Sequence, residues 1–126
     1  MSKVSSTVLL KPLLVSLFLA EIDGNTTGVY GDGGRHDVDN NPLPIADGQV
    51  ALNNQLFEKA IAIEDMVEDD DGNVRITARL AQDEMVGDTI SEVGIKVSGS
   101  IIAIRNSAPK LKQDDEEFEN MITFIF

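Results

Sequence analysis

The residues best suited to chemistry lie in Gly31-Asp32-Gly33-Gly34-Arg35-His36-Asp37-Val38-Asp39-Asn40-Asn41, which gathers oxygen ligands around the only histidine of the chain. Carboxylates and amides of this kind suit a hard cation such as calcium or magnesium. A helix-loop-helix calcium loop needs ligands two residues apart before a central glycine and a bidentate Glu six residues after it. The acidic run Glu68-Asp69-Asp70-Asp71-Gly72 fails that test, because the first ligand position falls on Val67 and the last on Ala78. What stays open is a looser site through Asp32, Asp37 and Asp39, or an array of structural turns.

Catalytic constellations are scarcer still. One histidine and no cysteine leave only a Ser-His pair for nucleophilic chemistry, and no Gly-x-Ser-x-Gly elbow occurs. Paired carboxylates could serve a glycosidase, but with 22 acidic residues any such pair is unremarkable, and there is no tryptophan on which a sugar could stack. Gly31-Asp32-Gly33-Gly34 lacks the Lys-Ser/Thr of a phosphate cradle. The expectation is a protein without enzymatic activity and without a cofactor.

A carboxylate of a different kind is Glu92. It lies in Ile90-Ser91-Glu92-Val93-Gly94-Ile95, where alternation puts Glu92 and Gly94 on the face opposite Val93, and Gly94 leaves a hole for a neighbour to fill. The second run, Ile101 to Ile104, is wholly apolar, and Ser98-Gly99-Ser100 joins the two as a hairpin.

The elements that must position these residues are read in the same way. Ser6 to Ile22 predicts a helix, starting at Ser6 or Lys11 with Pro12 in its first turn, and with Leu13, Leu14, Leu17, Phe18 and Ala20 as an apolar face that Val15 and Leu19 widen. Such a helix is either a core helix or an interface between subunits, and Leu17→Asp or Phe18→Asp is expected to disrupt folding or assembly. Asp23 to Gly28 reads as the turn that ends it, Gly31 to Gly48 as a long Gly/Asp/Asn/Pro loop, and Gln49 to Phe57 as a short helical or extended piece. Ala60 to Met66 and Asn73 to Leu80 read as a hairpin around the acidic run. Lys110 to Glu119 reads as a charged linker and Asn120 to Phe126 as a closing strand. The expected fold is mainly β within an α+β class: an antiparallel β-sandwich-like domain with an N-terminal helix. It spans residues 1–126 as one domain, with helix and turn over 1–28, loop over 29–48 and sheet over 49–126.

Composition narrows the partners. The 126 residues suit one core, and a net charge of −12 disfavours nucleic acid and anionic membrane surfaces. It fits solubility needs, a basic or metal-rich partner, or a halophilic host in which salt screens repulsion. The apolar run from Val8 to Ala20 mimics a signal peptide, but Lys11-Pro12 interrupts it and Phe18 spoils a small-x-small cleavage pattern. It is too short to cross a membrane.

In chain order, the spaced motifs resemble the tail-collar type of N-terminal virion-attachment domain found in tail fibres of tailed viruses. Gly31-Asp32-Gly33 stands for that family's Gly-Asp-Gly, Pro42-Leu43-Pro44 for its Pro-containing loop, and Val50-Ala51-Leu52-Asn53-Asn54-Gln55 for its Ala-Leu-x-Asn stretch. Ile90 to Ile95, Gly99 to Ala103, and Pro109-Lys110 follow in the family's order, over about Tyr30 to Phe126. Lys96 departs from it, standing where the family prefers an aromatic residue. The resemblance implies structural roles for Gly31, Asp32, Gly33, Glu92, Gly94, Gly99 and Pro109. It also implies a virion protein of the tail, baseplate or fibre, located on the virion tail and in host cytoplasm during assembly. Its partners would be other virion proteins and copies of itself, as a trimer or a ring of threefold or sixfold symmetry. Leu13, Leu14, Leu17, Phe18, Phe124 and Phe126 are the expected assembly interface. A capsid decoration or turret protein, and a small ion- or carbohydrate-binding β-domain, are the alternatives.

Overall fold

Alternating apolar residues build two sheets that face each other across one core. The computed structural model describes the backbone of residues 3–126 and the side chains from Leu10 onward. Ser6 and Val8, named above, have side chains outside the described residues. The first sheet holds β1 (Thr26–Gly31), β2 (Gln55–Ala60), β5 (Thr89–Val97) and β6 (Ser100–Leu111) in the order β2-β1-β5-β6. The second holds β3 (Met66–Glu68), β4 (Val74–Leu80) and β7 (Phe118–Phe124) in the order β3-β4-β7. All pairings are antiparallel. The architecture is therefore the expected mainly β, sandwich-like α+β fold with one helix.

The core shows why the strands sit where they do. In β4 the alternate residues Val74, Ile76, Ala78 and Leu80 are all buried, and β5 sends Val93, Ile95 and Val97 to meet them. Each fully buried aliphatic side chain is worth about 1.5–3 kcal/mol in area removed from water. Tyr30 ties the sheets together: its ring packs against Phe57 and Phe118, and its hydroxyl donates to the Arg79 carbonyl at 2.9 Å. Burial, reinforced by Glu84 and Asp65, pushes that hydroxyl's pKa upward, which keeps it a donor.

Several elements differ from expectation. The helix α1 spans Lys3–Ile22 and carries Pro12 inside it rather than at its start. Proline's φ suits a helix, so the cost is one backbone hydrogen bond, and strong helix formers on both sides carry the helix through. Thr26 to Gly31 is strand β1, not turn and loop, because Val29 and Tyr30 gain full burial between β2 and β5. Of Gln49 to Phe57, the last three residues open strand β2, and the stretch before them is irregular, with bends at Ala51, Asn53 and Asn54. The hairpin around the acidic run is shorter than expected: the chain crosses between the sheets over Ile61 to Asp65, and β3 begins only at Met66. The acidic turn is closed by Asp69, whose carboxylate accepts the Asp71 and Asn73 N–H groups at 3.0 Å each. Of the linker from Lys110, the first two residues belong to β6, and β7 already begins at Phe118. The β5–β6 loop contains two residues, Ser98 and Gly99, not three. Both have positive φ (50° and 85°), as a two-residue hairpin turn requires.

Candidate functional site

The long segment from Gly31 to Asn54 folds back over the outer face of the first sheet, and a single carboxylate holds both of its ends. Glu92 points to that face from β5 and is wholly buried. Its Oε2 accepts N–H groups from Gly33 at 3.0 Å and Asn54 at 2.7 Å, and its Oε1 accepts that of Asn53 at 2.8 Å. Among the described residues no lysine or arginine pairs with Glu92; backbone dipoles meet its charge. Three charge-assisted bonds to amides form a nest closed by the protein's own anion. Neighbouring bonds extend the cradle: the Ser91 hydroxyl donates to the Gly33 carbonyl at 2.6 Å, and Asn106 Nδ2 to the Leu43 carbonyl at 3.0 Å.

Close approach explains the glycines. A Cβ on Gly33 would lie 2.8 Å from Asn53 Cβ and 2.9 Å from Glu92 Oε2, and one on Gly31 would lie 2.5 Å from the same oxygen. Gly94 leaves the expected hole, which the Val29 side chain occupies at 2.8 Å from where a Cβ would stand.

Outside this cradle, residues Arg35 to Leu43 form a small knot. Leu43 N–H donates to the Gly34 carbonyl and His36 N–H to that of Asn41, while Arg35 donates to the Asp32 carbonyl and to Asn40 Oδ1. Beside it lies an open polar recess of about 350 Å³, lined by Asp32, Arg35, His36, Asp37, Asn40 and Asn54 among others. Two of the three acidic candidates are turned towards the loop itself. Asp39 accepts the Asn41 N–H and Nδ2 groups, and Asp32 Oδ1 accepts Asn54 Nδ2 at 2.5 Å. Among the described residues, Asp32, Asp37 and Asp39 do not gather into a cluster of three or more metal-ligating side chains.

Of the seven motif residues, the fold brings Gly31, Asp32, Gly33 and Glu92 into one place, with Gly94 one pleat further along β5. Gly99 lies in the distant β5–β6 turn. Pro109 sits in a bulge of β6, between the pairings Asn106–Glu92 and Lys110–Ile90, where the missing N–H forfeits no ladder bond. Of the six expected interface residues, Leu13, Leu14 and Leu17 are exposed. Phe18 is instead partly buried against Phe124 and Phe126, at ring distances of 5.2 and 5.4 Å, as part of the domain's own packing. Of the two outcomes expected for Leu17→Asp, loss of folding or loss of assembly, the 59% exposure of Leu17 in the protomer leaves little for folding to lose.

Two polar side chains that hold the fold, buried Lys112 and half-buried Asn106, escaped sequence reasoning. Lys112 looked like part of a linker, yet it is 1% exposed, with Nζ donating to the Gln82 and Gln113 carbonyls at 3.0 Å each. Asn106 lies in a run with no pattern to mark it. The donors to Glu92 are main-chain groups, for which side-chain type offers no signal.

The chain matches no known family model and no curated protein at a significant level. No helix among the described residues is long and apolar enough to cross a membrane.

Proposed function

We propose that this chain is a structural virion protein of a tailed virus, an attachment module of the tail, baseplate or fibre that works by protein contact. The observation that carries this reading is the convergence on Glu92. Three separated motifs, Gly31-Asp32-Gly33, Asn53-Asn54 and Ile90 to Ile95, follow one another in the order of the tail-collar resemblance and meet at one buried carboxylate. Residues that keep a motif without catalytic chemistry are spent here on shaping a rigid loop platform. Such a platform presents fixed backbone and side-chain groups to a neighbour at small entropic cost. The apolar helix face adds a second contact surface.

Mass spectrometry and copy counting on purified particles test the proposal. The expected outcome is a small symmetric number of copies that co-purify with tails after capsids are removed. Hundreds of copies on the shell would move the protein to a decoration role, and absence from particles would end the virion reading.

A further inference from the structure

The polar recess beside the Arg35 to Leu43 knot carries more hydrogen-bonding capacity than the protein itself uses. Six polar side chains, Asp32, Arg35, His36, Asp37, Asn40 and Asn54, open on its volume of about 350 Å³. Part of this set is tied to the loop: Arg35 donates from Nε to the Asp32 carbonyl and from Nη1 to Asn40 Oδ1, and Asn54 Nδ2 donates to Asp32 Oδ1. The rest is free. Among the described residues, Arg35 Nη2, Asn40 Nδ2, Asp32 Oδ2, Asn54 Oδ1, the Asp37 carboxylate and the His36 ring nitrogens have no protein partner. Donors, acceptors and a ring that can act as either therefore stand around one opening.

Charge and lining decide what fits there. An anion would meet Asp32 and Asp37 within the field of a chain that carries −12. A hard cation needs carboxylates gathered about a point, and these do not gather, while the Arg35 guanidinium stands beside them. An apolar ligand needs hydrophobic walls, and no apolar side chain lines the recess. A sugar hydroxyl both donates and accepts, so neighbouring hydroxyls can give to a carboxylate and take from an amide or a guanidinium at once. The walls are also held before any ligand arrives, because the Gly33 and Asn54 N–H groups are bonded to Glu92, which keeps the cost of ordering the site small.

We infer that this recess is a binding site for a neutral saccharide, held by hydrogen bonds to its hydroxyls. Its volume lies at the small end of the roughly 300–1,000 Å³ range of ligand sites, which suits a mono- or disaccharide. No Phe, Tyr or Trp ring lines it for a sugar to stack on, so binding is weak, with a dissociation constant on the order of millimolar. An uncharged ligand makes that binding indifferent to salt. The inference stands apart from the virion proposal, because its test uses purified protein and soluble sugars, and particle location does not enter it.

Amide chemical shifts recorded during titration with glucose, galactose, mannose, N-acetylglucosamine and lactose, each to about 50 mM, give the readout. The expected result is saturable movement of the Asp32 to Asn41 and Asn53-Asn54 signals with at least one of these sugars, unchanged by EDTA and by about 0.5 M salt. Asp37→Ala removes a carboxylate that bonds nothing within the described fold. The variant should keep its melting temperature and bind that sugar about five- to tenfold more weakly, the loss of one charge-assisted bond. No saturable shift with any of these sugars, or binding of glycerol as tight as that of any of them, would overturn the inference. So would tighter binding of N-acetylneuraminic acid or inorganic phosphate, dependence on calcium, or undiminished binding by a folded Asp37→Ala protein.

Discussion

The Gly31–Asn54 loop and the exposed face of α1 are opposite solutions to surface design. The loop leaves Val38, Ile45 and Val50 in water and buries Leu52 alone, yet both its ends are held, because Glu92 reaches up from β5 and takes three of its N–H groups. The helix is rich in apolar side chains and yet half of them face water. The polar demands of the loop's two ends are met within the protomer, whereas the helix's apolar ones are met on one stripe only. Order in a surface element follows from which demands are satisfied rather than from hydropathy, and the groups left unsatisfied are the ones with a reason to bind.

The largest test of this contrast removes the carboxylate. Glu92→Ala takes the acceptor from three part-buried N–H groups and should cost about 3–5 kcal/mol, at roughly 1–2 kcal/mol for each bond lost. Thermal unfolding measures the loss, and limited proteolysis should find new cuts within 31–54. Stability within 1 kcal/mol of the parent would mean that the loop holds itself. Gly33→Ala keeps the carboxylate but forces Asn53 or Glu92 to move, and about 1–3 kcal/mol of destabilisation is expected in chemical denaturation.

A smaller effect concerns Glu84, which accepts from Lys59 Nζ at 2.6 Å and from the Ala81 N–H at 2.7 Å. Burial acts to raise its carboxyl pKa, but the Ala81 amide and Lys59 outweigh burial and hold it below the ordinary value of 4.5. A depressed carboxylate stabilises the fold above its unfolded pKa, and that stability is lost as pH falls through the folded value. The parent should therefore melt higher than Glu84→Gln at pH 7, with the gap closing below about 4.5. A gap that stays constant with pH would assign the effect to packing. Smallest of all, Leu17→Asp in dilute protein should change stability by no more than about 1 kcal/mol, mostly through helix propensity. Unfolding of that variant would show that the helix face is covered within the protomer after all.

Legibility in the sequence tracked how local the deciding force was. Strict alternation from Val74 to Leu80 marked β4 because burial on one face needs nothing but period two, and Ser98-Gly99 marked a turn because positive φ has few providers. Thr26 to Gly31 did not read as a strand, since its two glycines run on from the Asp23-Gly24-Asn25 turn signal and mask the strand-forming Thr, Val and Tyr, which β2 and β5 hold extended. Glu92 and Gly94 were placed correctly on one face, but which groups would meet the carboxylate was invisible. The donors are main-chain amides from residues some 40 and 60 positions away. The helix was legible as apolar and not as half-packed, because hydropathy does not say which leucines find a partner at home.

Strand β1 has to wait for β5, made some sixty residues later, and Phe18 for Phe124 and Phe126, roughly a hundred residues later. On a ribosome, α1 thus emerges as a greasy segment with none of its covering partners yet synthesised. Contacts this distant along the chain also slow the search for the native state towards milliseconds to seconds. During that interval both stripes of the helix are bare, so newborn chains should recruit chaperones and misassociate at high expression, even though the finished protomer hides one stripe completely enough to be stable.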